Sequence, residues 1–129
     1  MKATDASIEE TRSFAPRFDA DGLVPVIAQD AESGAVLMLA YANEEALDLT
    51  LRTKEAHYWS RSRGEIWRKG ATSGHTQTVQ AVLLDCDQDA VLYRVHQQGP
   101  ACHTDRATCF YREAQRGEDG VQLRFTQGA

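Results

Sequence analysis

The chain has 129 residues, 42% hydrophobic and 26% charged, which suits a single globular domain with one modest core. Its net charge of -5 argues against a general nucleic-acid binder, and its longest apolar run, residues 35–42 (AVLMLAYA), is far too short to span a bilayer. The polar N-terminus, MKATDASIEE, has no apolar segment of the kind a secretory signal needs, so the expected compartment is the cytoplasm.

Residues 1–21 are polar and weakly patterned and read as a peripheral segment, with a short helix expected near Ser7 to Arg12. VPVIAQ (24–29) reads as a strand, with Pro25 near its start, where a missing N–H is tolerated. Turn residues DAESG (30–34) precede a second apolar strand over 35–41. Asn43 is a good N-cap, Glu44 and Glu45 suit the positive end of a helix dipole, and Leu47 and Leu51 share a face. One main helix is therefore expected at about 43–54. HYWSRS (57–62) and IWRK (66–69) around Arg63-Gly64-Glu65 read as a hairpin, and GATSG (70–74) as a loop. Over 76–84 the alternation assigns Thr76, Thr78 and Gln80 to a polar face and Val79, Ala81 and Leu83 to an apolar one. Residues 90–97 form another strand, 109–113 a last short one, and 117–120 a loop. The expected architecture is one β-dominated α+β domain at 22–114, built on a mixed or antiparallel sheet, followed by a tail at 115–129.

The chemistry concentrates in DCDQDAVLYRVHQQGPACHTDRATCF (85–110). In extended backbone Asp85, Asp87 and Asp89 share a face and Cys86 points the other way. Three carboxylates suit a hard cation such as Mg²⁺, although an acidic turn between strands is the commoner reason for such spacing. An EF-hand does not fit, because Ala90 stands where the loop needs Gly and His96 where it needs Glu. Three cysteines without an export signal are better read as reduced thiols than as a disulfide framework. Three unrelated structural thiols are the plain alternative. Cys86, Cys102 and Cys109 form no C-x-x-C pair, so no zinc finger is indicated. Three protein ligands is also the count at which zinc keeps a position for water. His103, next to Cys102, is a candidate acid or base, a substrate-orienting group, or a surface histidine. Residues 60–70 carry Arg61, Arg63, Arg68 and Lys69 against Glu65, a net +3 that suggests a small anionic ligand, though a solvated hairpin is the usual explanation. A cytidine-type deaminase is excluded, because H-x-E and P-C-x-x-C are both missing. A non-catalytic zinc module remains, with His103 or an aspartate as fourth ligand.

This stretch closely resembles the C-terminal signature of the phosphoribosyl-AMP cyclohydrolase family of histidine biosynthesis. GLVPVIAQD, VLMLAYANEEALDLT and YWSRSRGEIWRKGATSGHTQ agree with it in order, so the resemblance covers residues 22–113. It implies an intertwined homodimer with sites at the interface. It implies zinc held by Cys86 of one subunit with Cys102 and Cys109 of the other, and magnesium on Asp85, Asp87 and Asp89. The implied substrate is 1-(5-phosphoribosyl)-AMP, whose N1–C6 bond is hydrolysed to open the purine ring. Its two phosphates are natural partners for Arg61, Arg63 and Lys69, with Ser73, Gly74 and His75 adding donors. His103 is the candidate acid for the departing nitrogen. Trp59 and Trp67 are candidates to stack on the base, although tryptophan in a strand is more often core. Two positions depart from the family pattern: Ala71 stands where Glu is common, and Asp105 where Gly is frequent. Too little chain follows Glu113 for a second catalytic domain, so a monofunctional enzyme is expected.

Overall fold

Alternation is strongest in β1 (Val24–Asp30), where Val24, Val26 and Ala28 are 0% exposed and the residues between them only half-buried. In the computed structural model, which describes residues 8–126, this strand lies inside a six-stranded mixed sheet. β1 pairs antiparallel with β2 (Val36–Ala42) and parallel with β6 (Val91–Gln97). β5 (Gln77–Leu84) closes one edge against β6, while β3 (His57–Ser60) and β4 (Glu65–Arg68) extend the other edge from β2. A separate two-stranded sheet follows, β7 (Arg112–Gly117) with β8 (Gly120–Phe125). No helix among the described residues is long and apolar enough to cross a membrane.

The helix α1 (Glu44–Thr53) starts where Asn43 Oδ1 accepts the Ala46 N–H at 2.9 Å. It stops where Lys54 turns left-handed at φ 63°. Its buried side, Ala46, Leu47 and Thr50, packs on the sheet's inner face. Buried polar groups there are paired. The Thr50 hydroxyl accepts the His57 N–H at 2.9 Å, the Tyr93 hydroxyl donates to the His57 carbonyl at 3.1 Å, and the Tyr58 hydroxyl donates to Gln77 Oε1 at 2.6 Å.

Three expectations need correction. The β5–β6 register passes from Val79↔Val95 to Ala81↔Arg94, so Gln80 is bulged out and the alternation inverts beyond it. Val82 and Leu84 therefore pack against the core and Leu83 is exposed. The strand expected at 109–113 begins only at Arg112, because the Cys109 N–H bonds β2 instead, and it is followed by a further strand, β8. The segment beyond Glu113 is not a plain tail, since a hairpin crosses the expected boundary. The short N-terminal helix covers residues 8–10, and Ser7 lies outside the described residues.

Burial pushes the Tyr58 phenol well above its ordinary value and Tyr93 up to about 12. Both folded values exceed the unfolded value of 10.0, so the stability these neutral phenols contribute is whole below pH 10 and is lost as pH rises towards 12. An absorbance titration should find both phenols ionising only together with unfolding. Phenolates that vanish in Tyr58→Phe and Tyr93→Phe and titrate near the ordinary value in still-folded protein would contradict this packing.

Candidate active site

β2 carries a bulge of its own: its register against β1 passes from Ala28↔Met38 to Gln29↔Val36 and skips Leu37. The Leu37 carbonyl accepts the Cys109 N–H at 2.7 Å, and Thr108 Oγ1 donates to the Val36 carbonyl at 2.8 Å. Across the same loop the Cys102 N–H donates to the Arg106 carbonyl at 3.0 Å, and the Cys102 carbonyl accepts the Asp105 N–H at 2.9 Å. These bonds set the Cys102 and Cys109 thiols near each other, close enough that each perturbs the other's ionisation. Thr104 Oγ1 donates to Cys102 Sγ at 3.1 Å, and Lys69 Nζ donates to the Ala101 carbonyl at 2.7 Å. Burial resists ionisation of Cys102, but Thr104, the Cys109 thiol and the Arg106 guanidinium outweigh it and hold the pKa below the ordinary thiol value. Burial, with the neighbouring Cys102 sulfur, pushes Cys109 up to about 11. One thiol thus ionises more readily than an ordinary cysteine and the other less readily, a donor pair that a soft divalent cation suits by displacing their protons.

Cys86 does not join this pair within the chain. It lies just beyond Leu84, whose register runs through Val91 to Val26, whereas Cys109 is anchored beside Val36, the partner of Gln29. Three residues along β1 and three strand spacings from β5 to β2 put these anchors roughly 17 Å apart. Zinc–sulfur bonds of about 2.3 Å cannot bridge that distance.

The acidic cluster assembles, by a different route from the extended backbone expected. Residues 85–90 form the turn that closes the β5–β6 hairpin: the Gln88 N–H donates to the Asp85 carbonyl at 3.1 Å, and Gln88 is left-handed at φ 60°. Asp85 Oδ1 accepts the N–H groups of Asp89 and Ala90 at 3.0 and 3.1 Å. The turn gathers ligand oxygens of Asp85, Asp87 and Asp89 within 4.8 Å of one another. Burial opposes ionisation of Asp85, but the Ala90 and Asp89 donors outweigh it and keep its carboxyl below the usual range. The carboxyls of Asp87 and Asp85 push Asp89 up. Three carboxyls this close, sharing protons in the absence of a cation, are a set that a divalent ion suits by taking the protons' place. Sequence reasoning missed Gln88, which is buried and ties the N-terminal segment down. Its Oε1 accepts the Ala15 N–H at 2.8 Å, and its carbonyl accepts the Arg17 N–H at 2.7 Å.

The basic residues do not form one patch. The Arg61 guanidinium stacks over the Tyr41 ring at 4.0 Å, beside Trp59 and Trp67. Arg63 pairs loosely with Glu65 at 3.6 Å and shares a neighbouring depression with Lys69 and Ser73. Ser73 Oγ accepts the His75 N–H at 3.2 Å, and the Gly74 N–H donates to the Gly70 carbonyl at 2.9 Å. Gly70 is required here: at φ +83° a Cβ would stand 2.5 Å from the His75 carbonyl carbon. His103 is exposed on the turn beside Cys102.

The family model for phosphoribosyl-AMP cyclohydrolase matches residues 38–111. A phosphoribosyl-AMP cyclohydrolase of Bradyrhizobium diazoefficiens is 54% identical over 97% of this chain and 89% of its own length. One of Hyphomonas neptunium is 59% identical over 92% and 87%. The chain belongs to the phosphoribosyl-AMP cyclohydrolase family. It also matches the histidine biosynthesis bifunctional protein HisIE of Thermus thermophilus, 64% identical over 81% of this chain, and spans 49% of that relative's length.

Membership makes the two departures readable. Asp105 sits at φ 68°, the left-handed region where Gly is free and Asp is among the tolerated side chains, so the backbone there suits the Gly of the resembled pattern as well as the Asp of this chain. Ala71 is exposed in the turn after β4, and nothing in the structure explains its replacement of Glu. Asp105→Gly should leave thermal stability unchanged or raise it by up to about 1 kcal/mol, whereas Asp105→Val should lower it by more than about 1 kcal/mol. Equal melting of the two variants would contradict the left-handed turn.

Proposed function

We propose that the chain catalyses zinc-dependent hydrolysis of the N1–C6 bond of 1-(5-phosphoribosyl)-AMP, working as a homodimer. The product is the formamidine–imidazole carboxamide ribotide of histidine biosynthesis. Family membership supports the substrate and reaction. The observation that carries the metal and dimer reading is the thiol arrangement: two thiols on one loop, near enough to perturb each other, and a third on the same chain too far away to join them. Cys102 and Cys109 of one protomer, with Cys86 of the partner subunit, make a three-sulfur set that leaves one position open. Zinc bound there would lower the pKa of water to about 7 and so make hydroxide available at neutral pH.

The chain's own residues then have defined tasks. Hydrolysis adds a water oxygen at C6, breaks N1–C6, and needs a proton delivered to N1. His103, exposed beside Cys102, is the assigned donor. Lys69 spends one ammonium hydrogen on the Ala101 carbonyl, which steadies the cysteine loop, and keeps two for a phosphate. Arg63 can leave Glu65 at little cost, because both groups are exposed. Arg61, steadied by Tyr41, serves the other phosphate, while the Ser73 hydroxyl adds a donor beside Arg63 and Lys69, and Gly74 and His75 hold that loop in shape through their N–H groups. Asp85, Asp87 and Asp89 hold magnesium through oxygen donors. A cytoplasmic location keeps the thiols reduced for this use.

Loss of substrate absorbance gives the test. A strong chelator should abolish turnover and zinc should restore it. Turnover unaffected by complete zinc removal would rule out the metal assignment. Cys86→Ala and Cys109→Ala homodimers should each be inactive. A statistical mixture of the two should recover about a quarter of wild-type activity, because each heterodimer holds one complete ligand set. No recovery despite demonstrated subunit exchange would contradict a shared site.

A further inference from the structure

The β7–β8 hairpin is short of partners. Every residue of both strands is exposed, and neither strand hydrogen-bonds the main sheet. An isolated two-stranded ribbon is marginal in water and needs a surface to pack on. Cross-strand register puts Arg112, Ala114 and Arg116 opposite Phe125, Leu123 and Val121, so one face is an apolar stripe edged by arginines. Val121 and Leu123 stand open at 59% and 55% exposure, while Phe125, 60% exposed, stacks on Tyr111 at the root of the hairpin with the Arg106 guanidinium over its ring.

A matching surface exists on the same chain. Phe14, Phe18, Leu47 and Leu51 line a groove of about 590 Å³ between the N-terminal segment and α1, with Glu44 and Glu45 on its rim. Neither glutamate forms an ion pair among the described residues. The groove is apolar with an acidic rim, and the hairpin face is apolar with a basic edge. The two surfaces also adjoin the two halves of the divided sulfur set. Phe14 lines both the groove and the hollow at Cys86, while the hairpin starts three residues after Cys109.

We propose that the hairpin is an arm that docks, apolar face down, in the groove of a second copy of this chain. This rests on the shared-site reading above, because Cys86 of the partner subunit meeting Cys109 sets the arm down beside the partner's groove. The exchange is reciprocal, so two arms and two grooves close a two-fold dimer. The arm adds to the dimer surface whose apolar stripe is otherwise left in water.

Sedimentation equilibrium on the full-length, zinc-loaded protein tests this. Leu123→Asp and Leu51→Lys should each raise the dimer dissociation constant by about tenfold or more, and the double variant should recover most of that loss because the new charges attract. Arg116→Glu, which removes no contact inside the chain, should shift it in the same direction. Wild-type circular dichroism in each variant confirms that the fold is intact. An unchanged dissociation constant in Leu123→Asp and Arg116→Glu, with dimer and zinc retained, overturns the arm and leaves the shared site standing. A monomeric wild-type protein that still holds zinc overturns both.

Discussion

The hydrogen bond from the Cys109 N–H to the Leu37 carbonyl is the contact on which the site depends. It exists because the β2 bulge takes Leu37 out of register with β1 and turns its carbonyl to a loop in place of a strand. That single anchor ends the chain's wandering after β6, sets Cys109 against Cys102, and makes the thiols perturb each other in opposite directions. Thr104 and Lys69 reinforce the loop from its two sides, one through a sulfur and one through a carbonyl. Both are polar ties on a segment with little apolar burial of its own, Ala101 and Cys102 excepted.

The parallel pairing of β1 with β6 supplies the complementary constraint. It sends the β5–β6 hairpin, with its three aspartates and Cys86, to one end of the sheet, and the bulged start of β2 to the other. Each end therefore holds a different set of donors: two cysteines at one, a single cysteine beside three aspartates at the other. On the shared-site proposal, such a separation would make function conditional on a second copy, which the ribbon after Cys109 would help to hold.

Much of this was legible in the sequence, and the exceptions have physical causes. Asn43, the acidic first turn and Leu47 marked α1 to within a residue of Glu44–Thr53, because capping is a local interaction. The hairpin around Gly64 was equally local, held by its turn and near neighbours. Where longer-range contacts decide, pattern reading failed. The bulge at Gln80 inverts the inward face of β5, and no residue type marks it in advance. Period-2 spacing grouped the aspartates correctly for the wrong reason, since a turn gathers them through N–H donors to Asp85 and not through a shared strand face. Gln88 read as a spacer between acids, yet it straps the N-terminal segment from more than seventy positions away. Lys69 read only as a phosphate ligand, and its bond to Ala101 links the basic loop to the thiols, a contact that sequence distance concealed.

The central claim is that the sulfur pair is completed by a third sulfur from outside its own chain. X-ray absorption at the zinc edge of the loaded protein tests it most directly. The account predicts three sulfur scatterers at about 2.3 Å and one light atom, falling to two sulfurs in Cys86→Ala. A site with two sulfurs in the native protein, unaltered by that substitution, would contradict it.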